Sequence, residues 1–99
     1  MPDSALVMLN TIQNPQRLNK PLYYDYLLLR VRAKDKSFKD IAQDTLIFKV
    51  KDYYVHKKNV EKIFMSTFYC GRVLREQGKF GEALETFLSA EPYLDKSKN

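Results

Sequence analysis

An all-α fold of about five helices, paired as antiparallel hairpins and stacked one on the next, is what this sequence predicts. Apolar residues recur at helical spacing in several windows; Tyr24, Leu27, Leu28 and Val31 follow the i, i+3, i+4, i+7 rule of a one-sided helix. No run of useful length alternates Val, Ile or Thr with polar residues, as a half-buried strand would. The three glycines and four prolines mostly punctuate the helical windows.

Asp3 or Ser4 can cap a first helix over 5–12, with Ala5, Met8, Leu9 and Ile12 on one face. Asn14-Pro15 ends it, because the proline ring disfavours helix at the residue before. Pro21 suits the first turn of a second helix reaching about Lys34, and 34–43 reads as polar and irregular. Asp44 caps a third helix over 45–56, with Leu46, Ile47, Val50, Tyr53 and Tyr54 facing inward. The short turn at 57–59 makes the third and fourth helices antiparallel neighbours. The fourth spans 60–77 with Ile63, Phe64, Thr67, Cys70, Gly71 and Leu74 on its buried side, and Gly78 stops it. The fifth starts near Phe80 and is expected to end or kink at Pro92.

Composition narrows the function. Ninety-nine residues, 44 % hydrophobic, suffice for one small packed domain. The single cysteine, Cys70, excludes an intrachain disulfide and reads as a buried small hydrophobe. His56 is the only histidine, with no Cys or carboxylate constellation around it, so it reads as a surface residue rather than a metal ligand. No nucleophile–base signature and no glycine-rich phosphate loop occurs. No enzyme, metal or cofactor is expected. Ala5 to Leu9 is too short and lacks a basic leader for a signal peptide. No apolar run approaches the roughly 20 residues that cross a bilayer, so a soluble segment with no membrane contact is expected.

From Phe64 to Ser97 stand Gly71, Gly78, Phe80, Ala83, Phe87 and Ala90; Gly71, Ala83, Phe87 and Ala90 are spaced by twelve, four and three residues. This segment resembles one tetratricopeptide repeat, whose length is about 34 residues. Leu74 stands where that consensus prefers Tyr, and Pro92 comes earlier than its usual proline. The resemblance implies a right-handed superhelix of hairpins that binds other proteins. It implies that Gly71 and Ala83 let the two helices of the repeat approach, and that Phe87 and Ala90 pack toward a neighbouring repeat. The chain divides as an N-terminal helix and loop (4–19), a degenerate repeat (20–58) and a well-matched repeat (60–97). The longer layout, with Ala5-Leu6-Val7-Met8-Leu9, Tyr26-Leu27-Leu28-Leu29, Asp44-Thr45-Leu46-Ile47 and Tyr69-Cys70-Gly71-Arg72-Val73 in that order, is similar to the N-terminal repeat region of bacterial regulators and sensor histidine kinases. That likeness implies a sensing or docking part of a longer signalling protein, on the exported side of a membrane-anchored regulator.

In such repeats the first helix lines the concave groove, which on this sequence implies Met65, Phe68, Arg72 and Arg75 as binding residues. An aromatic beside two arginines suits an acidic peptide or protein partner, because guanidinium pairs bidentately with carboxylate. Repeats that grip a C-terminal carboxylate carry Asn where this chain has Arg72. Leu84, Leu88 and Tyr93 are left without a following helix, so self-association through the fifth helix is a second expectation. The alternative function is a basic helical nucleic-acid-binding module, suggested by the net charge of +5 and by Arg30, Arg32, Lys34, Lys36 and Lys39. Asp35 and Asp40 interrupt that run, which disfavours a nucleic-acid partner.

Overall fold

Five α-helices and one 3-10 turn follow one another in the computed structural model, which describes residues 2–97; there is no strand among them. The helices are α1 (Pro2–Asn10), α2 (Lys20–Lys36), α3 (Leu46–Lys57), α4 (Val60–Glu76) and α5 (Phe80–Ser97), with the 3-10 turn at Pro15–Arg17. The fold is all-α. No helix among the described residues is long and apolar enough to cross a membrane.

Local chemistry sets the helix ends. The side chains of Asn19 and Asn59 accept hydrogen bonds from the amides of Leu22 and Lys62, so α2 and α4 start on the same cap. Three helices stop on a left-handed residue: Phe38 after α2, Lys58 after α3 and Gly78 after α4. At each, the following amide reaches back to a carbonyl of the last turn, Lys39 to Lys34, Asn59 to Tyr54 and Lys79 to Leu74. Glycine takes this conformation without strain; Phe38 does so against the clash between its Cβ and backbone.

Side-chain pairs give the packing directions. Tyr24 stacks on Tyr53 at 4.4 Å, and Lys34 and Arg30 bond to Asp44, so α2 and α3 run antiparallel. The Cys70 thiol donates to the Ile47 carbonyl across antiparallel α3 and α4, and Phe87 packs on Phe68 and Gly71 across antiparallel α4 and α5. Two contacts join α2 to α4, Lys62 to Asp25 and Arg72 to Asp35, and both partners are 37 residues apart. A constant offset at two places means the two helices lie side by side and parallel.

The core lies where α2, α3 and α4 meet, among Leu28, Val31, Ile47, Val50, Ile63 and Val73. Helix α4 is buried on most of its circumference because α2, α3 and α5 all touch it. Burial pushes the Cys70 thiol up to about 12, against a smaller lowering by Lys51, so it stays protonated at neutral pH.

Several expectations require correction. Helix α1 already begins at Pro2, so Asp3 and Ser4 lie inside it instead of capping it. Helix α5 continues through Pro92 to Ser97, because Tyr93 packs against the core and holds the last turns in place. Tyr93 is therefore half-buried, unlike the exposed Leu84 and Leu88. Leu46 is exposed, while its neighbour Ile47 fills the core. Phe80 is two-thirds exposed at the start of α5 and fills no gap between the helices. Phe87 faces back onto Gly71 of its own hairpin, the position where a Cβ would meet its ring at 2.5 Å. Ala83 and Ala90 are buried.

A polar knot closes the N-terminal end of this layer. The Tyr54 hydroxyl and the Lys62 ammonium both donate to one carboxylate oxygen of Asp25, and Lys62 also lies over the Tyr54 ring at 5.4 Å. Burial pushes the Asp25 carboxyl up, but hydrogen bonds from Lys62 and Tyr54 and the charge of Lys62 outweigh it and hold it below its ordinary 3.8. Burial first, then the Asp25 bond, raises the Tyr54 hydroxyl far above its ordinary 10.0. The depressed carboxyl stabilises the fold above its unfolded value, and that contribution is lost as pH falls through the lower folded one. The raised phenol contributes below its unfolded value and loses its contribution only in strong alkali. Urea midpoints should therefore fall below about pH 4, and Asp25→Asn should flatten that acid limb relative to wild type.

Candidate functional site

Two depressions lie next to each other on the face that carries α1, α2 and α4. The larger, about 450 Å³, runs between α1 and α2 and is walled by Met8, Leu9, Leu29 and Ala33. The smaller, about 220 Å³, lies between α2 and α4 and is walled by Phe64, Met65, Phe68 and Tyr69. Arg32 and Lys36 line both. They sit at i and i+4 on α2, one helical turn apart on one face, so they form a cationic divide between two apolar troughs.

The aromatic wall is built by α4 with help from α5. Phe64 and Phe68 stack at 6.4 Å, Phe68 meets Tyr69 edge-on at 5.1 Å, and Phe87 props Phe68 from behind at 5.5 Å. Gly71 makes room for Phe87, which fixes where Phe68 stands. Phe68 keeps about a third of its surface exposed, whereas Tyr69 is buried. Burial raises the Tyr69 hydroxyl; the nearby charges of Arg32 and Arg72 pull it the other way.

Charge is unevenly spent around this face. Arg72 donates two bonds to Asp35, at 2.8 and 3.2 Å, and a longer one to Glu76. Lys34 and Arg30 are bound to Asp44. Arg32 and Lys36 have no ion-pair partner among the described residues. The basic run from Arg30 to Lys39 thus divides. Two of its five basic residues, Arg30 and Lys34, share Asp44, and only Arg32 and Lys36 line both troughs. A continuous cationic track for a phosphate backbone is not formed by these residues.

Of the four residues expected to bind, Met65 and Phe68 line the smaller trough. Arg72 does not face it. Its guanidinium is committed to Asp35, and both side chains are mostly buried, at 20 % and 16 % exposure. Arg75 is exposed and lies outside the lining of either trough. Arg32 and Lys36 were expected only within a basic run suited to nucleic acid, and Phe64 only on the buried side of α4, not as walls of a peptide site. Their signal was the i, i+4 pair on α2, visible only if that helix reaches Lys36. His56 is exposed in the last turn of α3. Among the described residues no group of three or more His, Cys, Asp or Glu could hold a metal ion.

No family model, curated protein or solved structure matches the chain.

Because Arg72 ties α4 to α2, its loss should loosen the floor of the site. Replacing it with Leu leaves Asp35 poorly solvated and unpaired. Discounted for the partial exposure of both groups, the expected cost is about 2 kcal/mol in urea denaturation. Arg75→Leu, on the open face, should change stability by no more than about 0.5 kcal/mol.

Proposed function

We propose that the chain is a non-enzymatic protein-interaction scaffold that holds an acidic peptide carrying apolar side chains across α1, α2 and α4. The observation that carries this reading is the pair Arg32 and Lys36, unpaired cations set between two apolar troughs. A segment with carboxylates flanked by Leu, Phe or Trp satisfies both parts at once. Its carboxylates bond to Arg32 and Lys36 while its apolar side chains enter the troughs beside Leu29 and Phe68.

The tetratricopeptide reading is consistent with this proposal. Equivalent asparagine caps on α2 and α4, the parallel placement of those helices, and the Gly71–Phe87 approach fit two successive hairpins stacked side by side. The α2–α3 loop, residues 37–45, is longer than the α4–α5 loop, 77–79, as a degenerate first repeat would have it. A docking role within a bacterial signalling or regulatory protein follows from the sequence likeness alone and belongs to the same proposal.

Fluorescence anisotropy with a labelled pool of short peptides, in which Asp and Glu alternate with Leu, Phe and Trp, tests it. Wild type should bind, more weakly at high salt. Arg32→Glu with Lys36→Glu should weaken binding at least about ten-fold, the equivalent of 1.4 kcal/mol. Arg75→Glu should leave it unchanged. Equal binding by the Arg32/Lys36 variant, or none by wild type, would reject the proposal.

A further inference from the structure

The outer side of α5 carries a second surface that the peptide site does not use. Phe80, Leu84 and Leu88 follow at i, i+4 and i+8 and are 67 %, 59 % and 55 % exposed, the longest such row on one helix among the described residues. Helical geometry puts Glu91 in line with this row and Glu85 at its edge. Both glutamates are exposed and have no ion-pair partner among the described residues. The protein as a whole has a formal net charge of +5, so this acidic and apolar strip stands out against a basic molecule.

Its complement is on the same protein. The α1–α2 trough offers Met8, largely exposed, and Leu29, nearly half exposed, beside the unpaired Arg32 and Lys36. We propose that α5 of one copy docks against the α1–α2 face of a second copy, with Leu84 and Leu88 on Met8 and Leu29, and Glu85 and Glu91 facing Arg32 and Lys36. The inference rests on the reading of that face as a receptor for acidic, apolar segments, and it names one such segment. Charge decides against the symmetric alternatives. Two α5 rows face to face oppose Glu85 and Glu91 with their own copies, and two α1–α2 faces oppose Arg32 and Lys36 with theirs. The contact is head-to-tail, so a pair of copies keeps one free α5 and one free α1–α2 face, and further copies can add.

Light scattering behind size exclusion tests this on the whole chain. Wild type should show a mass that climbs with concentration past the dimer and falls at high salt. Leu84→Glu alone, and Arg32→Glu with Lys36→Glu alone, should each be monomeric, with helical circular dichroism confirming that they fold. Mixed together they should form a one-to-one pair, because one retains the acceptor face and the other the donor face. Should Leu84→Glu fail to fold, Glu85→Lys with Glu91→Lys takes its place in the mixture. Self-association of the Arg32/Lys36 variant would mean that α5 pairs with itself, and would overturn the proposal. A mixture that stays monomeric would overturn it as well. Monomeric wild type that still binds the acidic peptide pool would remove the α5 contact and leave the peptide site standing. Monomeric wild type that binds no peptide would remove both.

Discussion

Replacing Gly71 with valine is expected to cost about 3 kcal/mol and to lower the melting temperature by more than about 10 °C. A Cβ at Gly71 falls 2.5 and 2.7 Å from two ring carbons of Phe87. The ring has little freedom to recede, since Phe68 stands against it. Valine adds two methyl groups to that collision and gains little helix propensity over glycine. Alanine is the informative contrast. It recovers up to about 1 kcal/mol of propensity, which offsets part of the overpacking and leaves a net cost of about 1 kcal/mol. A second change, Phe87→Leu, should restore part of the loss in the Gly71→Val background while costing stability on its own. Such non-additivity in thermal melts is the signature of a direct contact.

Ile41→Ala is expected to cost about 3 kcal/mol, although the residue lies outside every helix. Ile41 is fully buried and belongs to the core cluster. Around it, the Ala42 amide donates to Asp40, and the Gln77 side-chain amide donates to the Ala42 carbonyl at 2.8 Å. The segment between α2 and α3 is thereby fastened to the core and to the end of α4. Phe38, three residues earlier, is 97 % exposed, and Phe38→Ala should shift the urea midpoint very little. A similar cost for both variants would contradict this arrangement.

These two cases also mark how much was legible in the sequence. Helices α2 and α3 followed from apolar spacing because each buries one face, whereas Ala5 and Met8, expected to face inward on α1, are exposed. Gly71 was singled out as a point of close approach, and it is where Phe87 packs. Ile41 was invisible, because an isolated apolar residue among polar neighbours has no period to detect. Pro92 misled for an energetic reason: the proline removes one helical hydrogen bond, but the packing of Tyr93 against the core outweighs that local loss. Arg72 misled differently. A helical wheel places it near Phe68, yet only the fold brings Asp35 of α2 within bonding distance. Arg32 and Lys36 stood out only as members of a basic run; their place on one helix face was hidden by a boundary drawn one half-turn early, at Lys34 instead of Lys36. Long-range pairing of charges, unlike periodicity, has no local signature.

The most direct test of the proposed site is an amide-resolved NMR titration of the whole chain with an acidic, tryptophan-bearing peptide. The account predicts that the largest shifts fall on Leu29, Arg32 and Lys36 of α2 and on Met65 and Phe68 of α4. Shifts concentrated on α3, or no shifts at saturating peptide, would contradict it.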